Sequence, residues 1–166
     1  MPTFSKPLRL CLLGVGLGSV LLVLAFAAGL RINATASLPR GLYLLCPGMP
    51  ERGEYAAFCL SGEFAELARE RGYLQAGSCP SGLRPLLKRV AALPGDSVDV
   101  SALTLLAADS HGRPLPSILH SGPVPSGMAL LLADHPGSFD GRYFGLVPLD
   151  QLQRVRPFFT PFHTGD

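Results

Sequence analysis

The chain has 166 residues, the length of one domain plus a tether, and only 16% of them are charged. Its formal net charge of +2, with no lysine-rich or arginine-rich run, leaves no basic face for nucleic acid. A mean hydropathy of +0.32 assigns part of the apolar composition to lipid rather than to a water-facing body.

Residues 10–30 carry no charge, running from Leu10-Cys11-Leu12-Leu13 to Ala27-Ala28-Gly29-Leu30. A helix of about 20 apolar residues crosses a hydrocarbon core ~30 Å thick, so this stretch predicts one transmembrane helix. Lys6 and Arg9 precede it, while Arg31 and Arg40 follow. That modest positive-inside bias predicts a cytoplasmic segment 1–9 and an exported body 31–166. The competing reading is a cleaved secretory signal, since Ala34-Thr35-Ala36 resembles an A-x-A site. Secretory apolar cores run to roughly 7–15 residues, shorter than this one, which favours the uncleaved anchor.

Beyond the span, Arg31 to Ala36 reads as a polar connector leading into Ser37-Leu38-Pro39-Arg40-Gly41. Leu42-Tyr43-Leu44-Leu45, bounded by Gly41 and Pro47, predicts a short buried strand. Pro47 to Pro50 is a loop, and Tyr55 to Leu60 reads as a second strand. From Gly62 to Gly72, apolar Phe64, Leu67 and Ala68 fall at helical spacing among charges, with Gly72 at the stop position. Cys59 and Cys79 flank this helical insert (residues 59–82 with its returning Gly/Ser/Pro loop) and are expected to pair.

Leu86 to Leu93 is a strong strand candidate, and Ser97-Val98-Asp99-Val100 alternates as a half-exposed strand does. Ala108 to Gly112 reads as a turn, Met128 to Ala133 as an apolar strand and Asp134 to Gly137 as a loop. Arg142 to Val147 is the last strand-like piece. Short strands with 19 glycines and 16 prolines predict a mainly β body with a coiled or barrel-like sheet. Cys11 lies in the span and reads as packing, and Cys46 is left as an odd thiol. No C-x-x-C or H-E-x-x-H spacing occurs, so no metal site is expected. His111, His120, His135 and His163 read as solvated loop residues.

Ser37 is a candidate nucleophile, and a serine hydroxyl needs a base to take its proton. Lys88 is the candidate base, sitting between Leu86-Leu87 and Val90-Ala91-Ala92-Leu93. Apolar burial disfavours the ammonium and lowers its pKa from about 10.4, as a lysine base requires. The same context suits a lysine whose stem packs on a sheet while its head reaches water.

Three segments carry a resemblance. Lys88-Arg89-Val90, continued by Leu93-Pro94-Gly95-Asp96, resembles the lysine box of type I signal peptidases. Ser37-Leu38-Pro39 with Gly41 and Tyr43 resembles their serine box, in the form of the TraF-type conjugative-transfer peptidases. Ser138-Phe139-Asp140-Gly141-Arg142-Tyr143-Phe144-Gly145 resembles their C-terminal box, and the boxes occur in the family order. The cysteine-flanked insert, with Arg71-Gly72-Tyr73-Leu74 inside it, is likewise typical of the TraF type. Gly141 stands where many relatives have serine, and Leu146 where proline is frequent.

The resemblance implies a signal-peptidase/LexA-like coiled β-sheet body with a Ser37/Lys88 dyad. It implies that the Ser37 backbone N–H and the Thr35 hydroxyl face the oxyanion and that Ser138 helps orient the lysine. Asp140, paired with Arg142, would support the site without carrying a proton. No metal or organic cofactor is implied. The implied function is a single-pass serine endopeptidase of the bacterial inner membrane, with its catalytic body in the periplasm. Its substrate would be a membrane-embedded conjugative pilin precursor or related transfer protein, beside the type IV secretion apparatus. TraF-type enzymes also join the trimmed ends into a cyclic product. Two alternatives stay open: a general type I signal peptidase removing leader peptides, and a non-catalytic membrane-tethered assembly factor.

Overall fold

The computed structural model describes residues 5–35 and 37–160, so His163 and the Ala36 of the A-x-A reading lie outside the described residues. Helix α1 (Lys6–Ala27) is long and apolar enough to cross a membrane. None of its side chains is buried by protein. A helix that is apolar all round and uncovered by protein suits a bilayer span. It starts and ends earlier than the charge-free stretch, because Pro7 suits a first turn and Gly29, at φ +97°, ends the last one. Arg31 then covers the helix end, donating to the carbonyl oxygen of Phe26 at 3.2 Å.

The expected connector is instead strand β1 (Leu30–Asn33), paired antiparallel with β2 (Gly41–Leu45) so that Leu30 faces Leu44. The chain continues through β3 (Tyr55–Phe58), helix α2 (Gly62–Glu70) and β4 (Leu86–Ala92). After β5 (Ser97–Val98) and β6 (Gly122–Pro123) come β7 (Met128–Leu132), the short helix α3 (Gly141–Phe144), β8 (Val147–Pro148) and β9 (Gln153–Phe159). One sheet runs β1-β2-β9-β3-β4-β7-β8 with every neighbouring pair antiparallel, and β5 and β6 form a separate ribbon.

That sheet curls. In a flat sheet β2 and β7 would stand four strand spacings apart, roughly 19 Å. Yet the backbone N–H of Asp134, just past β7, donates to the carbonyl oxygen of Ser37, just before β2, at 3.1 Å. Only a sheet coiled upon itself brings those two places together. The main core fills the inside of the coil, with Phe58, Leu86, Val90, Leu131, Phe144 and Leu152 at its centre.

Two expected strands are corrected. Arg142 to Val147 is not one strand: Asp140 accepts from the backbone N–H of Arg142 and starts α3, and Gly145 at φ +78° ends it before β8. The strand from Ser97 stops at Val98, because the Asp99 carboxylate accepts from Ser101 N–H and opens a 3₁₀ turn over Val100–Ala102. Helix α2 follows its pattern more closely, burying Ala65 and Ala68 and stopping before Gly72 at φ +69°. A disulfide joins Cys59 to Cys79, and Cys11 and Cys46 are free. Closing a loop of 20 residues contributes about 3 kcal/mol by restricting the unfolded chain.

Gly141 has a packing reason of its own. A Cβ there would meet the Leu131 backbone oxygen at 2.6 Å and Leu130 Cδ1 at 2.8 Å. The first contact is with a core strand that cannot give way. Gly141→Ala is therefore expected to cost about 1–3 kcal/mol by overpacking, read as a lower thermal midpoint of the body in detergent. An unchanged midpoint would show that α3 can shift outward freely.

Candidate active site

Strand β4 alternates strictly, turning Leu86, Lys88, Val90 and Ala92 inward. Lys88 is therefore carried into the core face and is only 3% exposed. Its partner across the β3 register is Ala56, fully buried and too small to block the long side chain. Burial lowers the ammonium pKa from 10.5 to about 8; Asp140 opposes that shift and Arg142 adds to it. The lysine does not reach water as a snorkelling residue would.

Behind Lys88 stands a buried ion pair. Asp140 is fully buried and accepts from Ala133 N–H at 2.8 Å, Arg142 N–H at 3.0 Å and the Arg142 guanidinium at 2.6 Å. The same guanidinium donates to the Ala133 carbonyl oxygen at 3.3 Å. Burial pushes the Asp140 carboxyl up from its ordinary value, against the pull of those donors and of Lys88. All three of its partners are donors, so the pocket is built around the carboxylate form.

The nucleophile candidate sits on the loop between β1 and β2. Three contacts fix that loop: Asp134 N–H to Ser37 O, the Tyr43 hydroxyl to Pro39 O at 2.6 Å, and the side chain of buried Asn33. The Ser37 hydroxyl lies 2.8 Å from Thr35 Oγ1, and Thr35 in turn donates to Asn33 Oδ1 at 2.9 Å. In this state the Thr35 proton is turned to Asn33, not into the cleft. Among the described residues the Ser37 N–H makes no hydrogen bond, and no hydrogen bond joins Ser37 to Lys88.

Ser37, Thr35, Lys88 and Ser138 line one cleft of about 230 Å³. Its remaining wall is largely apolar, from Tyr73, Leu74, Leu86 and Phe139. Asp140 and Arg142 are not in this lining; they act from behind it. Ser138 makes no side-chain hydrogen bond among the described residues, so it shares the cleft without holding the lysine in this state. Larger clefts of about 440 and 400 Å³ contain serines but no buried base.

Sequence reasoning missed three residues of this site. His135, read as a plain loop histidine, lines the cleft while exposed, and its Nδ1 accepts from Gly137 N–H at 3.0 Å. Tyr73 is held by Asp109, whose carboxylate also takes Arg113. Burial acts to raise the Asp109 carboxyl, but hydrogen bonds from Tyr73, Arg113 and His111 outweigh it and hold it well below the usual range. Asn33 is the third, and its polar side chain in an alternating Leu30-Arg31-Ile32-Asn33 run was the available signal.

Comparison with known proteins shows the family of the chain. The profile of the family described as signal peptidase, peptidase S26, matches residues 7–156. A plasmid transfer protein TraF of Escherichia coli is 36% identical, the match covering 96% of this chain and 99% of that protein. A second plasmid transfer protein TraF of Escherichia coli is 40% identical over 81% of this chain and 85% of its own length. A conjugal transfer protein TraF of Agrobacterium fabrum is 37% identical over 83% and 86% respectively. No solved structure matches the chain. With a family profile spanning nearly all of it and full-length relatives above 30% identity, the chain belongs to the signal peptidase family, peptidase S26.

Proposed function

We propose that this protein is a membrane-anchored serine endopeptidase in which Lys88 activates Ser37. The observation that carries the reading is a deeply buried lysine, lowered to about 8, lining the same cleft as a serine on a pinned loop. About one-tenth of such a lysine is neutral at pH 7. Neutral Lys88 Nζ takes the Ser37 proton as Oγ bonds to the scissile carbonyl carbon. The Ser37 N–H receives the developing oxyanion, with the Thr35 hydroxyl once it turns from Asn33. Protonated Lys88 then returns its proton to the leaving amine as the C–N bond breaks, leaving an ester on Ser37. Water, or an amine at the other end of the trimmed chain, resolves that ester. The amine route yields a cyclic product.

The relatives' names, plasmid and conjugal transfer proteins, support a substrate in conjugation, and we take it to be a membrane-embedded pilin precursor. Only two residues separate α1 from β1, which suits a substrate presented at the bilayer surface. The basic residues Lys6 and Arg9 favour a cytoplasmic N-terminus and a periplasmic body in the inner membrane.

Processing of a co-expressed pilin precursor, read by intact mass, tests the dyad. Ser37→Ala and Lys88→Met are expected to abolish it, and His135→Ala to retain it. Loss in His135→Ala alone would transfer the base role to that histidine. A product one water lighter than linear trimming predicts would establish cyclisation.

The lysine also sets a pH dependence. Activity is expected to rise about tenfold per pH unit below the lysine's pKa of about 8 and then level off. A flat profile with the fold intact would remove Lys88 as base.

Stability should move the other way from activity on substitution. Unfolded, Lys88 titrates near 10.5, and folded near 8, so between those values the unfolded chain binds more protons. Stability thus rises with pH from 8 to 10.5, and the cost of the ammonium, roughly 3 kcal/mol, is fully present below 8. Lys88→Met is expected to raise the thermal midpoint at pH 7 while abolishing processing. A lowered midpoint would mean that the ammonium is better satisfied than its burial implies.

A further inference from the structure

Asn33 is the last residue of β1, 7% exposed, and carries a dense set of hydrogen bonds. Its amide nitrogen reaches the carbonyl oxygens of Thr35 at 3.2 Å, Leu38 at 3.1 Å and Pro39 at 3.1 Å. Its oxygen accepts from Thr35 N–H at 3.3 Å and from the Thr35 hydroxyl at 2.9 Å. These partners leave no choice in how the amide is turned. Carbonyl oxygens can only accept, so the side facing Thr35 O, Leu38 O and Pro39 O is the NH₂; the side facing Thr35 N–H is the oxygen.

The orientation of Asn33 then fixes the protons downstream. Its oxygen can only accept, so the Thr35 hydroxyl hydrogen lies on Asn33. Across the 2.8 Å contact between Thr35 Oγ1 and Ser37 Oγ, the donor must accordingly be Ser37. The serine oxygen is held in place by a neutral acceptor, which costs little to leave when its proton is taken. The same side chain grips the backbone on both sides of the nucleophile, at Thr35 before it and at Leu38 and Pro39 after it.

We propose that Asn33 is the positioning residue of the nucleophile, acting on Ser37 through the Thr35 hydroxyl. This rests on the reading of Ser37 as nucleophile. Asn33 touches neither substrate nor base; it decides where the serine oxygen sits and which way its hydrogen points.

The test uses the full chain in detergent with a pilin-precursor peptide, comparing wild type, Asn33→Ala, Asn33→Asp, Thr35→Val and Asn33→Ala with Thr35→Val, beside Ser37→Ala. Asn33→Ala is expected to lower kcat roughly 10²-fold with KM unchanged, the scale of a small misplacement of a reacting group. Asn33→Asp keeps an acceptor for Thr35 but sets a carboxylate oxygen against the carbonyl oxygens of Thr35, Leu38 and Pro39, so its kcat is expected to fall at least as far. The pH midpoint near 8 should stay in place in Asn33→Ala, because Lys88 is untouched; a body loosened in general would move it toward 10.5. In the Thr35→Val background the Asn33→Ala change should cost less than it does alone, since the hydroxyl relay is already cut and only the backbone contacts remain to be lost.

Wild-type kcat in Asn33→Ala, with Ser37→Ala inactive, overturns the inference and leaves the dyad standing. Additive losses in the double variant overturn it as well, since Asn33 would then act by another route. If neither Asn33 variant folds, the residue serves the fold and the inference falls. Activity in Ser37→Ala would remove the dyad itself, and the positioning role with it.

Discussion

The rest of the body answers to one constraint, a lysine ammonium held on the inner face of a sheet. Leaving a cation in that place is costly, and a fully ion-paired lysine would keep its proton too tightly to act as a base. The neighbouring carboxylate sits in between. Asp140 lies close enough to favour the ammonium, but its oxygens are taken up by Arg142 and by two backbone N–H groups. Arg142 adds a repulsion of its own, smaller than the Asp140 attraction. A buried pair of this kind is weak evidence for stability in itself. What lowers the pKa of a lysine beside an aspartate is its own burial, which outweighs the Asp140 attraction, with Arg142 adding a smaller push.

The second element is topology. Ser37 and Lys88 belong to parts of the sheet that pairing order keeps apart, β1/β2 at one edge and β4 well inside. The coil closes that distance, and the Asp134–Ser37 backbone contact locks it. Arg89 strengthens the lock from the outer face of β4, gripping the Asp134 carboxylate through two nitrogens at 2.9 Å each and stacking on Tyr55. Consecutive residues of β4 thus do different work: Lys88 points in toward the cleft, and Arg89 points out to hold the loop that fixes the serine.

Much of this was legible in the sequence, for a physical reason. Strands with one buried face alternate, so Leu86 to Ala92 could be read directly, and an apolar stretch free of charge announces a helix long enough to cross a membrane. Helix α2 and its flanking cysteines were legible because 3.6-residue spacing and Gly72 stand out in a glycine-rich β body. The errors came where a local pattern had two readings. Leu30 to Asn33 alternates like a strand, but its first residue merges with the apolar span and hides the boundary. Arg142 to Val147 has strand-like residues, yet a capping aspartate two residues earlier outweighs their propensity. Strand β9 escaped notice because Pro157 and the charges of Arg154 and Arg156 interrupt an otherwise ordinary alternation. The proton direction at Asn33, Thr35 and Ser37 depends on three-dimensional partners and could not be read from spacing.

The cleft wall follows the same logic as its floor. Tyr73 and Leu74 belong to the insert, which contributes no strand to the sheet and would move freely if tied only through its helix. It is tied at two ends instead. The Cys59–Cys79 disulfide closes its base, and Asp109, on a distant loop, takes the Tyr73 hydroxyl while Arg113 packs over the Tyr73 ring. Phe139, from the segment that carries Ser138 and Asp140, packs tilted against the same tyrosine with ring centres 5.1 Å apart. Each part of the site is thus held by a covalent link or by ionic and hydrogen-bonded partners outside the cleft. Among the described residues, Lys88 and the Ser37 N–H have no hydrogen-bond partner. Such support behind the cleft suits the preorganised site that the proposed peptidase would need.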